Sequence, residues 1–424
     1  MREKIKEKPI NRKKLIKRTL MTVAMAIVFG LVACVTFLVL EPVISNKLYP
    51  EEIPKVKLPE TTEEILPNEM LTDEETKEEL VNQVVEQVEG PSRQSINDSL
   101  NVDSYQILYD RLYERAQEAN SFLVTVTGVA STMDWFQNEV ENENTTSGVI
   151  LADNGVEILV LAYANDLPDA QSYRITFCGE KPVEAQLKEK SSKTGLGIFS
   201  VRKEILGEAC LAKIKPAKLG NSNSIQLIGR PIIAIGRPYG QDGSIAYGIV
   251  TSTGKTIQAP DDLYKVITTD MYASEKSSGF LLSITGELIG VITDEANGIE
   301  KNQVICALGV SDILSLVEKL SNAEPRAYIG IIGMDVTPLA YEELNVPYGV
   351  YVTEAISKSP AMNAGIASGN VITKVDGKPV ASMQDYKKII DSLKPEQEVK
   401  ISLMRFVEDQ YKEDEITITT EKAN

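Results

Sequence analysis

Between residues 122 and 310, short runs of β-branched and aliphatic side chains alternate with Gly, Pro, Asn and Asp, and little of the stretch has a helical period. That rhythm admits few folds. Runs too short for helices and too apolar for loops must pair with one another, and many such strands build a barrel or a sandwich. The sharpest signal is Asp153-Asn154-Gly155, set between Ser147-Gly148-Val149-Ile150-Leu151 and Glu157-Ile158-Leu159-Val160-Leu161. Asn-Gly tolerates positive φ, so a hairpin is predicted there. Further strands are predicted at 173–178, 184–187, 196–201, 231–235, 244–252, 266–269, 279–284, 288–292 and 304–308, with a helix at 311–320. Before them, Ile107, Leu108, Leu112 and Ala116 mark one face of a helix at 104–120.

Composition removes several kinds of chemistry. The 424 residues are enough for two or three domains, and none is His. Without His there is no Ser-His or Cys-His pair and no imidazole metal site. Cys34, Cys178, Cys210 and Cys306 are far apart, so neither a zinc site nor a disulfide framework is expected. No metal and no cofactor is predicted. A net charge of -17 argues against nucleic acid as partner.

The charge is unevenly placed. Residues 1–18 hold six Lys and three Arg against two Glu, and residues 19–40 hold no charge. As a helix, that span is roughly 33 Å long, enough for a bilayer core of about 30 Å. The expectation is a basic cytoplasmic tail (1–18), a transmembrane helix (19–40) and everything after it outside a cell membrane crossed once. A cleaved signal peptide is the rival, but its apolar region is usually about 7–15 residues. Leu31-Val32-Ala33-Cys34 looks like a lipoprotein processing site, yet the apolar run continues past Cys34. Residues 41–103 follow as a Pro-containing linker; its first 60 residues, 41–100, hold 15 acidic residues against 5 basic. So little apolar surface predicts an extended and largely disordered spacer.

Ala217-Lys218-Leu219-Gly220-Asn221-Ser222 is followed by Gly229-Arg230-Pro231-Ile232-Ile233-Ala234-Ile235-Gly236-Arg237-Pro238-Tyr239-Gly240. Gly248-Ile249-Val250-Thr251-Ser252, Thr269-Asp270 and Gly286-Glu287-Leu288-Ile289-Gly290-Val291 continue in order. This series resembles the HtrA (DegP-like) family of trypsin-like serine proteases. The resemblance implies that 104–322 forms a mainly β, chymotrypsin-like pair of perpendicular barrels with the active site between them. It also implies where a triad would lie. Ser278 takes the nucleophile's place, in Lys276-Ser277-Ser278-Gly279-Phe280. Tyr163 falls on the His position and Gly195 on the Asp position, while Lys276 replaces a Gly whose N–H helps form the oxyanion hole. An inactive homologue is therefore expected. The alternative is an active endopeptidase in which Ser278 uses a base other than His, such as Lys276.

From residue 325 a new unit begins. Arg326-Ala327-Tyr328-Ile329-Gly330-Ile331, Ser359-Pro360-Ala361-Met362-Asn363-Ala364-Gly365-Ile366 and Gly369-Asn370-Val371-Ile372-Thr373-Lys374-Val375-Asp376-Gly377 precede a helix at 383–393. Residues 325–424 resemble a PDZ domain of the HtrA type. Such domains add a C-terminal peptide as a strand and hold its carboxylate on backbone N–H groups. The resemblance puts that loop at Tyr328, Ile329, Gly330 and Ile331, with Ile329, Ile331, Ile389 and Leu393 lining an apolar pocket. Expected partners are protein or peptide C-termini, and the family's habit implies a homotrimer.

Overall fold

A computed structural model describes residues 54–59, 102–133, 139–274, 276–298, 303–408 and 410–423, with isolated positions 20, 21, 23, 25, 29 and 36. The expected basic tail and most of the expected membrane span and spacer lie outside the described residues. The isolated positions are helical, and among the described residues no helix is long and apolar enough to cross a membrane.

Helix α1 (Val102–Glu118) leads into six strands: β1 (Leu123–Met133), β2 (Glu139–Asp153), β3 (Glu157–Tyr163), β4 (Ser172–Phe177), β5 (Val183–Lys190) and β6 (Leu196–Arg202). They close as an antiparallel barrel in the order β1-β2-β3-β6-β5-β4. The β2–β3 connection follows its sequence signal. Gly155 takes φ +92°, and the Asn154 side-chain oxygen accepts the Val156 and Glu157 N–H groups at 3.0 and 2.7 Å. Asx side chains stabilise turns in this way.

A second closed barrel is built from β7 (Pro231–Arg237), β8 (Ser244–Ala259), β9 (Asp262–Tyr272), β10 (Ser278–Ser283), β11 (Leu288–Ile292) and β12 (Val304–Gly309). Strands β7 and β10 are apolar on both faces. Ile233, Ile235, Phe280 and Leu282 join a core continuous with the first barrel, whereas Ile232, Ala234 and Leu281 build a separate cluster. That double burial explains why 231–235 and 279–284 read as unbroken apolar runs. Helix α2 (Val310–Ser321) then lays Ile313, Leu316, Val317 and Leu320 on the main core. Each such side chain contributes about 1.5–3 kcal/mol.

The spacer is not wholly free, because Val56 and Leu58 are 8% and 5% exposed and belong to the main core. Asn322, just past α2, accepts the Val56 N–H and donates to the Val56 carbonyl, both at 2.9 Å. Leu58 N–H reaches Glu318 at 3.4 Å and Lys55 pairs with Glu324 at 2.6 Å. Two apolar side chains and a paired backbone are enough to hold this strap, despite its Pro and acidic surroundings.

The C-terminal domain comprises β13 (Ala327–Tyr328), β14 (Ile331–Asp335), β15 (Val350–Ala355), β16 (Val371–Val375), β17 (Lys378–Pro379), helix α3 (Met383–Ser392), β18 (Glu398–Val407), β19 (Gln410–Thr419) and β20 (Glu421–Lys422). The sheet order is β14-β15-β16-β18-β19, with β17 on β16 and β13 paired to β20. Ser382 caps α3, accepting the Asp385 N–H at 3.1 Å. This domain has its own core, including Ile331, Val352, Ile372, Tyr386, Ile390, Ile401 and Leu403.

Candidate active-site cleft and peptide groove

Ser278 opens β10, opposite Arg237 of β7. The next residue, Gly279, takes φ +124°, and a Cβ there would lie 2.2 Å from the Ile235 carbonyl oxygen, so only glycine fits behind the serine. In the first barrel, Tyr163 ends β3 and pairs with Leu196, bringing it beside Gly195. Gly195 has φ +67°, and a Cβ on it would fall 2.5 Å from Tyr163 Cε2 and 2.5 Å from Asn165 Nδ2. A phenol and an amide thus fill the space that a side chain at 195 would need.

Tyr163 is 4% exposed, and Asn165 donates to its oxygen at 3.4 Å and to Glu295 at 3.0 Å. Burial pushes its phenol well above the ordinary value; the Asn165 hydrogen bond opposes this and Glu295 adds to it. A phenol so raised stays neutral and is a poor proton acceptor.

Ser278 is 2% exposed, and its hydroxyl is buried with no hydrogen-bond partner in good geometry. The titratable neighbour that it touches weakly is Asp166, at the end of the single 3₁₀ turn Ala164–Asp166. Asp166 accepts the Thr146 hydroxyl at 2.7 Å. Burial raises its carboxyl, while Thr146, Ser278 and the charge of Arg237 pull it back. Asp166 and Glu295 were not anticipated from the sequence, since neither belongs to a motif and both arrive by long-range packing. Lys276 is exposed on the adjoining turn, so it lacks the desolvation that a Lys base requires. Ser277 ties that turn down, donating to the Pro238 carbonyl at 2.6 Å and accepting the Ser274 N–H at 2.7 Å.

In the C-terminal domain the expected loop residues are brought together. Tyr328 ends β13, Gly330 takes φ +91°, and Ile329 and Ile331 are fully buried with Ile389 and Leu393 in one apolar cluster. A Cβ on Gly330 would meet the Ser359 Cβ at 2.3 Å and the Tyr328 hydroxyl at 2.7 Å. The N–H groups of Ile329, Gly330 and Ile331 converge on a single carboxylate, at 2.8, 2.7 and 3.1 Å. That carboxylate belongs to Asp261, in the turn between β8 and β9.

Residues 146–291 match the trypsin-like peptidase domain and residues 329–421 match the PDZ domain. The chain therefore joins a trypsin-like peptidase domain to a PDZ domain. It is 25% identical over 272 residues to a probable periplasmic serine endoprotease, DegP-like, of Pseudomonas fulva (strain 12-X), covering 62% of this chain and 54% of that protein. It is 24% identical over 284 residues to the serine protease Do-like HtrA of Lactobacillus helveticus, covering 63% and 67%. The chain spans about half the length of the DegP-like relatives that it matches. Among solved structures, the HtrA-type protease AlgW with decapeptide superposes with a TM-score of 0.53 at 19% identity, covering 74% of this chain and 99% of that one. The fold is thus shared with solved HtrA-type proteases, and the relatives bear the names of proteases.

Proposed function

We propose that this protein is a membrane-anchored, extracytoplasmic HtrA-like pseudoprotease that binds C-terminal or unfolded peptide segments through its PDZ domain. Its work is envelope protein quality control, or scaffolding and regulation of another protease. The observation that carries the reading is the sealed Ser278 hydroxyl in a chain without His, with a neutral Tyr163 filling the cleft against Gly195. Serine attack needs a group that takes the proton in the transition state, and an oxyanion hole to hold the product of attack. Loss of triad members leaves about 10³–10⁴-fold over water, and that remnant requires an accessible site. The periplasmic name of the DegP-like relative and the uncharged span at 19–40 support the location.

The purified chain should neither cleave casein nor react with a fluorophosphonate probe above the Ser278→Ala background. The second reading, an active endopeptidase, draws on Asp166 as a carboxylate that Ser278 influences. Probe labelling that disappears in both Ser278→Ala and Asp166→Asn would establish that reading and overturn the first. External protease that leaves the globular part of intact cells untouched would refute the proposed orientation.

A further inference from the structure

Asp261 does more than sit near the carboxylate loop. Three backbone N–H groups of the loop donate to its side chain, and the Tyr386 hydroxyl of α3 donates to Oδ1 at 2.8 Å. Its own N–H donates to the Ile331 carbonyl at 2.7 Å, the first residue of β14. An added strand begins with such a backbone bond to the sheet edge, together with capture of its carboxylate. Two residues on, Leu263 packs against the apolar core of the C-terminal domain. One short turn therefore supplies a carboxylate, a strand-type backbone bond and an apolar side chain, the features of a C-terminal ligand.

The turn is also clamped on either side. Asp262, 1% exposed, pairs with Arg326 at 2.6 Å and with Lys387 of α3 at 3.0 Å. Lys193 of the first barrel donates to the Pro260 carbonyl at 2.6 Å. Neighbouring groups are aligned with the same end: the Lys387 ammonium lies 4.4 Å from the Tyr264 ring centroid. Burial pushes the Asp261 carboxyl up, and the three amides and the Tyr386 hydroxyl oppose that shift.

We infer that the turn Pro260-Asp261-Asp262 is an internal ligand of the PDZ carboxylate loop, which closes the groove to free C-termini until the turn is displaced. The inference rests on the proposed peptide site and adds its regulation. Two occupants cannot share three amides, so a peptide binds only the fraction of molecules in which the turn has left, and its apparent affinity falls by that fraction. Ligands of this site are chains with a free carboxylate and an apolar last side chain, because these are the groups that the turn imitates.

The test uses the full chain and a fluorescent peptide ending in a free apolar residue, with its C-terminal amide as control. Asp261→Ala should bind the acid at least about tenfold more tightly than the unaltered chain does, and should not gain affinity for the amide. Asp261→Asn, which keeps the shape but not the charge, should fall between them. Equal binding of the acid by all three forms would overturn the internal ligand and leave the peptide site standing. Hydrogen exchange at the Ile329, Gly330 and Ile331 amides reads occupancy without any peptide: slow in the unaltered chain and fast in Asp261→Ala. Fast exchange in the unaltered chain would also overturn the inference. Slow exchange that becomes fast in Asp261→Ala, with no peptide bound by any form, would keep the clamp and refute the peptide site.

Discussion

Gly195→Asp would put a carboxylate beside Tyr163, where the resemblance places an orienting one, and the space around position 195 does not accommodate it. Position 195 has φ +67°, a left-handed conformation that costs a side-chain-bearing residue about 1–2 kcal/mol, with Asp among the cheaper choices. The larger obstacle is space. The new Cβ would stand 2.5 Å from both Tyr163 Cε2 and Asn165 Nδ2, under any normal contact distance. Asn165 can swing outward, being exposed, but Tyr163 is 4% exposed and backed by the barrel core. Overpacking of this kind costs typically about 1–3 kcal/mol. Together the two effects predict a destabilisation of about 2–4 kcal/mol by urea denaturation. Adding Tyr163→His should recover about half of it, as the smaller ring withdraws from Cβ, so a double-mutant cycle should show coupling of at least about 1 kcal/mol. The double variant should still fail to cleave casein, because neither change opens the buried Ser278 hydroxyl. A Gly195→Asp protein within about 0.5 kcal/mol of the parent would refute the steric reasoning.

Two further outcomes are expected. Leu58→Ala, at a side chain 5% exposed, should cost about 2 kcal/mol or more of strap docking and speed protease cleavage near residue 58; unchanged cleavage would show that the strap holds by its backbone alone. Burial opposes the charge on Asp262, but Lys387 and Arg326 outweigh it and hold this carboxyl below its ordinary value. Its contribution to stability is therefore full above the unfolded value of about 4 and is lost as pH falls through the lower folded value. Asp261, shifted upward, acts with the opposite sign, so the comparison must isolate one residue. The stability lead of the parent over Asp262→Asn should shrink below about pH 4, and a lead that is flat with pH would contradict the ion-pair assignment.

What the sequence disclosed was what local chemistry decides. The turn at Asp153-Asn154-Gly155, the apolar runs of β7 and β10 and the helix after β12 all carry their signals within a few residues, and the structure has them. β8 runs to Ala259, well past the predicted 252, because its outer half alternates Thr, Lys and Gln rather than apolar residues. β19 escapes the same pattern for a similar reason, since Lys412, Glu413, Asp414 and Glu415 fill its middle. At the candidate sites, likeness singled out Ser278, Tyr163 and Gly195, but nothing in the sequence announced their burial. Asp166 and Asp261 were invisible. Each is an ordinary loop acid until partners remote in sequence give it a role: Ser278 lies beside the first, and Ile329, Gly330 and Ile331, 68 to 70 residues on, donate to the second.

The strap at Val56 and Leu58 changes what the acidic stretch after it is. With residues 54–59 fastened near α2 and residue 102 already inside α1, residues 60–101 join two points of the same body. The chain is therefore held at residue 58 and again at 102, which is not how a leash is tied. A leash releases its cargo when cut once. Here a cut between residues 60 and 101 would break the covalent chain yet leave the piece that carries Val56 and Leu58 docked, so parting the two pieces would take a second event that peels these side chains from the core.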